Sequence, residues 1–308
     1  MIYDLIILGG GPAGVSASVY AARKKLKTLF ITSEFGGQSS VSEKIYNWIG
    51  SPEIGGMELA DSFKKHVTAN VGEDLEVKEG NKAILVSKKN DNFLVKTDSN
   101  EEYEGRTILI STGSGRRKLV AKNADTLEHK GITYCASCDG PLFSGAHVAV
   151  IGSGNAGFES AAQLLAYCNS VTLVNRSENF RADEITIEKV LSHPKMKVIK
   201  NADILEIKGE KFVQGLIYKD KISGEIKEIP VTGIFVEIGQ IPNTDLVKDL
   251  VEIDEINRIK IDPWTNRTSA AGIWAAGDCT NILYHQNNIA AGDGVKALED
   301  IYLYLHAK

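Results

Sequence analysis

Four cysteines occur in the 308 residues, Cys135, Cys138, Cys168 and Cys279, and two of them are spaced for chemistry. In Cys135-Ala136-Ser137-Cys138-Asp139-Gly140-Pro141 two residues separate the thiols. This spacing closes a small disulfide ring, and a thiolate beside a helix N-terminus is stabilised, so the pair suits reversible redox work. The rival use is half a zinc site, which needs two further ligands. There is no second Cys-x-x-Cys, His129 and His147 are the nearby imidazoles, and the six histidines form no close-spaced ligand pattern. No metal is therefore expected. Asp139, next to the second cysteine, is placed to donate a proton if burial raises its pKa, or to cap the turn that follows; the residues alone leave both open. Cys168 and Cys279 read as packed thiols.

Two glycine turns supply a second kind of chemistry. Gly9-Gly10-Gly11-Pro12-Ala13-Gly14 follows the apolar run Ile6-Ile7-Leu8, and Gly152-Ser153-Gly154-Asn155-Ala156-Gly157 follows Val148-Ala149-Val150-Ile151. A phosphate held at a helix N-terminus needs backbone N–H groups aimed at it and no side chain in the way. In each copy the first glycine permits the tight turn, the second admits a pyrophosphate, and the third lets the helix pack against the strand. Two copies point to two dinucleotides, commonly a flavin and a nicotinamide. Beyond the first copy, Ser33 and Glu34 follow the second strand, and Glu34 can accept from a ribose diol or stand as a solvated loop acid. Beyond the second copy the residues are Asn175, Arg176 and Ser177, with Arg181 farther on and no carboxylate at the strand end. Guanidinium groups pair with a 2′-phosphate that a carboxylate would repel, so this site leans to NADPH over NADH; the two arginines can also be read as ordinary exposed residues.

The elements that must position these groups repeat. Helices at 15–22 and 158–167 and strands at 28–31 and 170–174 make two βαβ openings. Strand-like runs follow in both halves, 83–87 and 93–97, then 203–208 and 213–219. Each half closes on a buried strand, Thr107-Ile108-Leu109-Ile110 before Ser111-Thr112-Gly113, and Gly233 through Ile238 before Gly239. This predicts an α/β protein with two Rossmann-like three-layer dinucleotide-binding domains, the second inserted into the first, and crossings near 114–118 and 239–243. Residues 54–71 read as an amphipathic helix packed in the first domain.

Composition agrees with that plan. At roughly 150 residues per domain the length predicts about two. With 43% apolar and 24% charged residues there is material for real cores. The net charge of −5 with no basic tract disfavours nucleic acid or an anionic membrane as partner. No apolar run approaches the ~20 residues of a membrane span. The N-terminus runs straight into an apolar strand with no leader, so a soluble cytoplasmic protein is expected.

The motifs together, in order, resemble those of the low-molecular-weight thioredoxin reductases, within the class II pyridine nucleotide-disulfide oxidoreductases: Gly9 to Gly14, Gly36-Gly37-Gln38, Ser111-Thr112-Gly113, Cys135-x-x-Cys138-Asp139-Gly140, Gly152 to Gly157, and Gly272-Ile273-Trp274-Ala275-Ala276-Gly277-Asp278. The chain is also similar to the flavoprotein portion of the alkyl hydroperoxide reductase large subunit. The resemblance implies that residues 1–115 with 245–308 bind FAD. Gly37, Gln38, Asn47, Thr112, Gly113, Gly277 and Asp278 would lie in that site, and His285, Gln286 and Asn287 would close over the flavin. Residues 116–244 would hold both the nicotinamide, against Ile238 and Gly239 among others, and the cysteines. Electrons would pass from NADPH, or NADH, to FAD, to the Cys135–Cys138 disulfide, and on to thioredoxin or another thioredoxin-fold redoxin. Cys138 would face the flavin, Cys135 would attack the partner, and Asp139 would be the acid/base. A homodimer is implied, as is a domain rotation hinged at the two crossings.

Two departures stand out. The family's His-Arg-Arg with a later Arg is here Asn175-Arg176-Ser177 with Arg181, and the flavin-closing segment is Tyr284-His285-Gln286 rather than one with Arg before Gln. The second, with Gln240-Ile241-Pro242-Asn243-Thr244, is closer to the hydroperoxide reductase branch. A thioredoxin-disulfide reductase is the leading expectation. The alternatives are a reductase serving a peroxiredoxin system through a separate redoxin, and a ferredoxin-fed or nicotinamide-independent flavoprotein or redox sensor.

Overall fold

A computed structural model describes residues 1–42 and 44–306. The first strand, β1 (Ile2–Gly10), buries Leu5, Ile6, Ile7 and Leu8 completely. Burial on both faces explains why the run is continuously apolar instead of alternating. Gly11 caps α1 (Pro12–Arg23), and Pro12 stands at the first helical position, where its missing N–H costs nothing. β2 (Thr28–Phe35) lies parallel to β1 and continues past the expected 28–31, so Ser33 and Glu34 are part of its exposed C-terminal end. α2 (Gly56–Thr68) buries Leu59, Ala60, Phe63 and Val67 as an i, i+4 stripe. It begins later than residue 54 because Ile54 is held in a bridge to Ile45.

β3 (Leu75–Glu79), β4 (Ala83–Lys89), β5 (Asn92–Thr97) and β6 (Glu102–Ile110) complete the first pass. β6 runs parallel to β1, while its N-terminal half pairs antiparallel with β5. The chain then crosses by β7 (Ser114–Arg116) into a second compact unit, Arg116–Gln240.

There it forms β8 (Ile132–Thr133), α3 (Ala136–Asp139), β9 (His147–Ile151), α4 (Asn155–Leu164), β10 (Ser170–Val174), α5 (Glu184–Leu191), β11 (Met196–Ile199), β12 (Ala202–Lys208), β13 (Gly215–Asp220), β14 (Ile226–Ile229) and β15 (Gly233–Val236). The five-stranded sheet has the order β11-β10-β9-β15-β8, all pairs parallel, and β12-β13-β14 form a separate antiparallel sheet. Alternate residues of the parallel strands build two cores. Val148, Val150, Val171, Leu173 and Phe235 pack with Phe158 and Leu164 of α4, while Ala149, Ile151, Val174, Ile234 and Val236 pack with Ile207, Leu216 and Tyr218 of the antiparallel sheet. This is the three-layer arrangement expected from the sequence.

β16 (Gln240–Pro242) pairs with β7 as the chain returns to the first unit, Met1–Gly115 with Ile241–Lys308. Residues 241–244, expected with the inserted segment, belong instead to the first unit. Asn243 N–H donates to Gly113 O (3.0 Å), the Thr112 hydroxyl donates to Asn243 O (2.6 Å), and the buried Thr244 hydroxyl donates to Asn257 O (2.7 Å). β17 (Ile273–Ala275) then adds to β6, giving a seven-stranded sheet with the path β3-β2-β1-β6-β5-β4. α6 (Asn287–His306) packs on α1 so closely that a side chain at Gly294 would strike the Ala13 carbonyl and Ser16. The same three layers recur: Leu5, Ile7 and Leu109 face the helices, and Ile6, Leu8 and Ile110 face Val86, Phe93 and Val95. Among the described residues no helix is long and apolar enough to cross a membrane.

Candidate functional site

In the second unit, β8 leads through Tyr134 into Cys135, which has extended backbone and caps the single turn of α3. Cys135 and Cys138 are joined by a disulfide, their Cα atoms 5.3 Å apart. The Cys138 backbone N–H points at Cys135 Sγ (3.2 Å), a contact that would favour a thiolate at Cys135 once the bond is reduced. The half-buried Asp139 carboxylate accepts the Thr133 hydroxyl, and Thr133 Oγ1 in turn accepts the Cys135 N–H (3.4 Å). Burial pushes the Asp139 pKa up, against the Thr133 hydrogen bond and the charges of His129 and Arg116. Arg116 also donates to the Tyr134 carbonyl. The turn after Asp139 carries no side-chain cap, so of the two readings open from sequence the geometry supports the proton-holding one.

The remaining thiols are packed away. Cys168, which lies beyond the end of α4, is fully buried with Sγ against Phe143 O (3.4 Å), and burial raises its pKa. Cys279 is buried against Ala276 O (3.4 Å), and desolvation pushes its pKa up to about 11. Among the described residues no group of three His, Cys, Asp or Glu side chains could hold a metal ion.

The first unit carries the first glycine cradle at the carboxyl ends of β1 and β6, where the strand order reverses and nucleotides bind in such sheets. Gly9 has φ +112° and lies against the Ser111 carbonyl, and a Cβ on Gly14 would strike the Gly9 carbonyl. At Gly11 a Cβ would meet nothing within 4 Å, so open space lies over the N-terminus of α1. Other expected residues converge here. Gly37 backs onto Gly11, and Gly277, just before Asp278, is wedged between Ala13 and Ala290 at the starts of α1 and α6. Gln38 donates to the Ser114 carbonyl. Asn47 donates to Gln286 (3.1 Å), Ser39 to Asn287 (2.9 Å), and the buried Nε2 of His285 has no hydrogen-bond partner among the described residues. An orphaned buried nitrogen together with an open glycine cradle fits a bound dinucleotide. Thr112 is engaged with Asn243, and the Ser33 and Glu34 side chains are exposed at the strand end.

The second cradle repeats the backbone plan. Gly152 (φ +115°) lies against the Glu237 carbonyl, a Cβ on Gly157 would strike Gly152 O, and Gly154 again faces open space. Asn155 and Ala156 open α4, and Asn155 Oδ1 accepts the Asp183 N–H (3.0 Å). Arg181 N–H donates to Ser153 O (2.9 Å), which lays the 176–183 loop along the glycine turn. Asn175 is buried and spent: it accepts from Ser153 (2.8 Å) and donates to Ser177 O (2.6 Å) and Asn179 O (3.0 Å). It shapes the loop, leaving the exposed Arg176, Ser177 and Arg181 to meet a ligand. β15 ends at Val236, short of the expected Ile238; Gly239 beyond it has φ +108°.

Sequence reasoning missed four residues. Thr133 and Arg116 act on Asp139, but neither stands in a motif. Glu237, whose pKa is raised by burial while Ser160 donates to it (2.6 Å), ends the central strand beside Gly152. Lys221 reaches the Arg176 carbonyl from 45 positions away.

Comparison with known proteins agrees with this geometry. The family model of pyridine nucleotide-disulphide oxidoreductases matches residues 3–294, and the chain belongs to that family. It is 38% identical over 304 residues to the flavoprotein component of the Escherichia coli alkyl hydroperoxide reductase and 37% identical over 303 residues to a Bacillus subtilis NADH dehydrogenase, covering 98% of this chain in each case. The chain spans 58% of the length of each of these two relatives. Among solved structures it resembles a thioredoxin reductase from Streptococcus pyogenes (TM-score 0.91, 31% identity, 100% of this chain and 99% of that one). It also resembles one from Giardia duodenalis (TM-score 0.93, 29% identity, 99% of each chain).

Proposed function

We propose that the chain is a flavoprotein disulfide reductase that takes electrons from NADPH through FAD and delivers them to the disulfide of a thioredoxin-fold protein. The observation that carries the reading is the Cys135–Cys138 disulfide, closed across one turn with Asp139 held beside it by Thr133. A bound FAD, loaded by hydride from a nicotinamide, supplies two electrons. The first cradle, with Gly277, Asp278 and His285, would hold it, and the second cradle would hold the nicotinamide nucleotide.

The chain's own part is sulfur and proton chemistry. Two electrons and one proton cleave the Cys135–Cys138 bond to a thiol and a thiolate. The Cys135 thiolate attacks one sulfur of the partner's disulfide, and the other leaves as a thiolate. Cys138 then attacks Cys135 Sγ, re-forming the internal bond and releasing the partner as a dithiol. Asp139 holds the proton that these steps exchange, a role that suits a carboxyl whose pKa burial raises.

A second reading, a reductase that serves a peroxidase through a separate redoxin, is supported by the similarity to the alkyl hydroperoxide reductase component. The test is anaerobic titration of the flavin-loaded chain with NADPH and separately NADH, followed by oxidised thioredoxin. Bleaching of the flavin by NADPH and its recovery on adding thioredoxin are expected. If neither nucleotide bleaches the flavin, the proposal fails. If bleaching occurs but only a peroxidase-linked redoxin restores the colour, the second reading replaces the first.

A further inference from the structure

Building on the second cradle as the nicotinamide site, we infer that Lys221 determines nucleotide specificity, supplying the third cation of a 2′-phosphate site in the place that Ser177 leaves open. Three observations carry this. Arg176 and Arg181 are exposed, and neither guanidinium has an ion pair or side-chain hydrogen bond among the described residues. The loop's carboxylate, Glu178, is already committed to Lys200 (3.1 Å) and Asn201 (2.6 Å), so it offers little repulsion to a phosphate. Lys221 brings its ammonium into the same loop from the turn between β13 and β14.

Lys221 Nζ lies 3.0 Å from Arg176 O and 3.1 Å from Asp203 Oδ1. These contacts use two of the three ammonium donors. The turn is fixed beneath the loop by backbone bonds, Lys221 N–H to Asn201 O (2.8 Å) and Asn201 N–H to Ser177 O (3.4 Å). The third donor therefore adjoins any anion that Arg176 holds. Ser177 cannot take this role as a cation, and its hydroxyl donates to Asn179 O (3.1 Å). Asp203 moderates the local charge without cancelling it, because Lys221 faces it at an exposed pair.

Isothermal titration of the flavin-loaded full chain with 2′,5′-ADP and with 5′-AMP isolates the 2′-phosphate. Wild type is expected to prefer 2′,5′-ADP. Lys221→Ala and Lys221→Gln should each weaken 2′,5′-ADP about fivefold while moving 5′-AMP less than about twofold, and Lys221→Arg should retain the preference. The Gln variant can keep the bond to Arg176 O, so an equal loss in both variants assigns the effect to charge and not to loop collapse. If both neutral variants bind 2′,5′-ADP like wild type, the role of Lys221 is overturned while the nicotinamide reading stands. Wild type that binds the two ligands equally overturns the 2′-phosphate site itself, and wild type that binds neither overturns the reading of this cradle.

Discussion

Gly9 and Gly152 hold nearly the same backbone conformation, φ +112° and +115°, and each lies against a carbonyl past the end of its neighbouring central strand, Ser111 in one unit and Glu237 in the other. Past the glycines the two cradles diverge. The first is followed by an exposed Glu34 and surrounded by residues that arrive from the C-terminal segment, including the orphaned His285 and the wedged Gly277. The second is followed by Arg176 and Arg181, and Lys221 adds to them from a distant turn. A pyrophosphate makes the same demand on both backbones, whereas the rest of each ligand is read by residues outside the glycine motif.

The largest effects should come from breaking the shared part. Gly9→Ala or Gly152→Ala forces a side chain into a left-handed conformation and against a carbonyl, at a cost of about 2–4 kcal/mol. Gly9→Ala should lower the flavin-to-protein ratio of the purified chain. Gly152→Ala should keep the flavin but lose nucleotide binding. An equal loss of flavin in both variants would remove the distinction between the cradles.

Next in size are the groups that only the second unit carries. Cys135→Ser or Cys138→Ser should abolish thioredoxin reduction while NADPH still bleaches the flavin. Asp139→Asn should slow the disulfide step about 10²–10⁴-fold in stopped-flow measurements. The pH dependence follows from the raised pKa of Asp139. Between the usual carboxylate range and its native value, the group binds a proton in the folded chain but not in the unfolded one. Its contribution to stability is complete at low pH and is lost as pH rises through the native pKa. Thermal melts across pH should therefore fall less steeply for Asp139→Asn than for wild type, and the rate of the wild-type disulfide step should decline over the same rise.

Smaller again is the divergent part. Arg176→Ala or Arg181→Ala should each narrow the preference for NADPH over NADH by about five- to tenfold. An unchanged ratio would make the two cradles equivalent in charge. The smallest effect is expected for Cys168→Ala, about 1 kcal/mol or less in stability with turnover unchanged, since this thiol fills a core and touches neither cradle.

Much of this was legible from local pattern. Continuous apolar runs before glycine turns mark parallel strands, because burial on both faces allows no polar alternation, and the duplicated pattern marks the two units. Element ends were less legible: β2 continues through Glu34, and residues 241–244 join the first unit because their hydrogen-bond partners, Thr112, Gly113 and Asn257, lie there. Asn175 looked like a ligand position but is consumed by its own loop, a fact that depends on where Ser153 and Asn179 carry their polar atoms.

The sequence by itself determined the glycine turns, the cysteine pair and the order in which they occur, because these depend on backbone conformation and spacing within a few residues. Only the tertiary structure decided what surrounds them. Thr133 and Arg116 set the environment of Asp139, Asn47 meets Gln286 across 239 positions, and Lys221 comes under Arg176 across 45. Such contacts depend on which strands become neighbours in a sheet, so no local spacing encodes them.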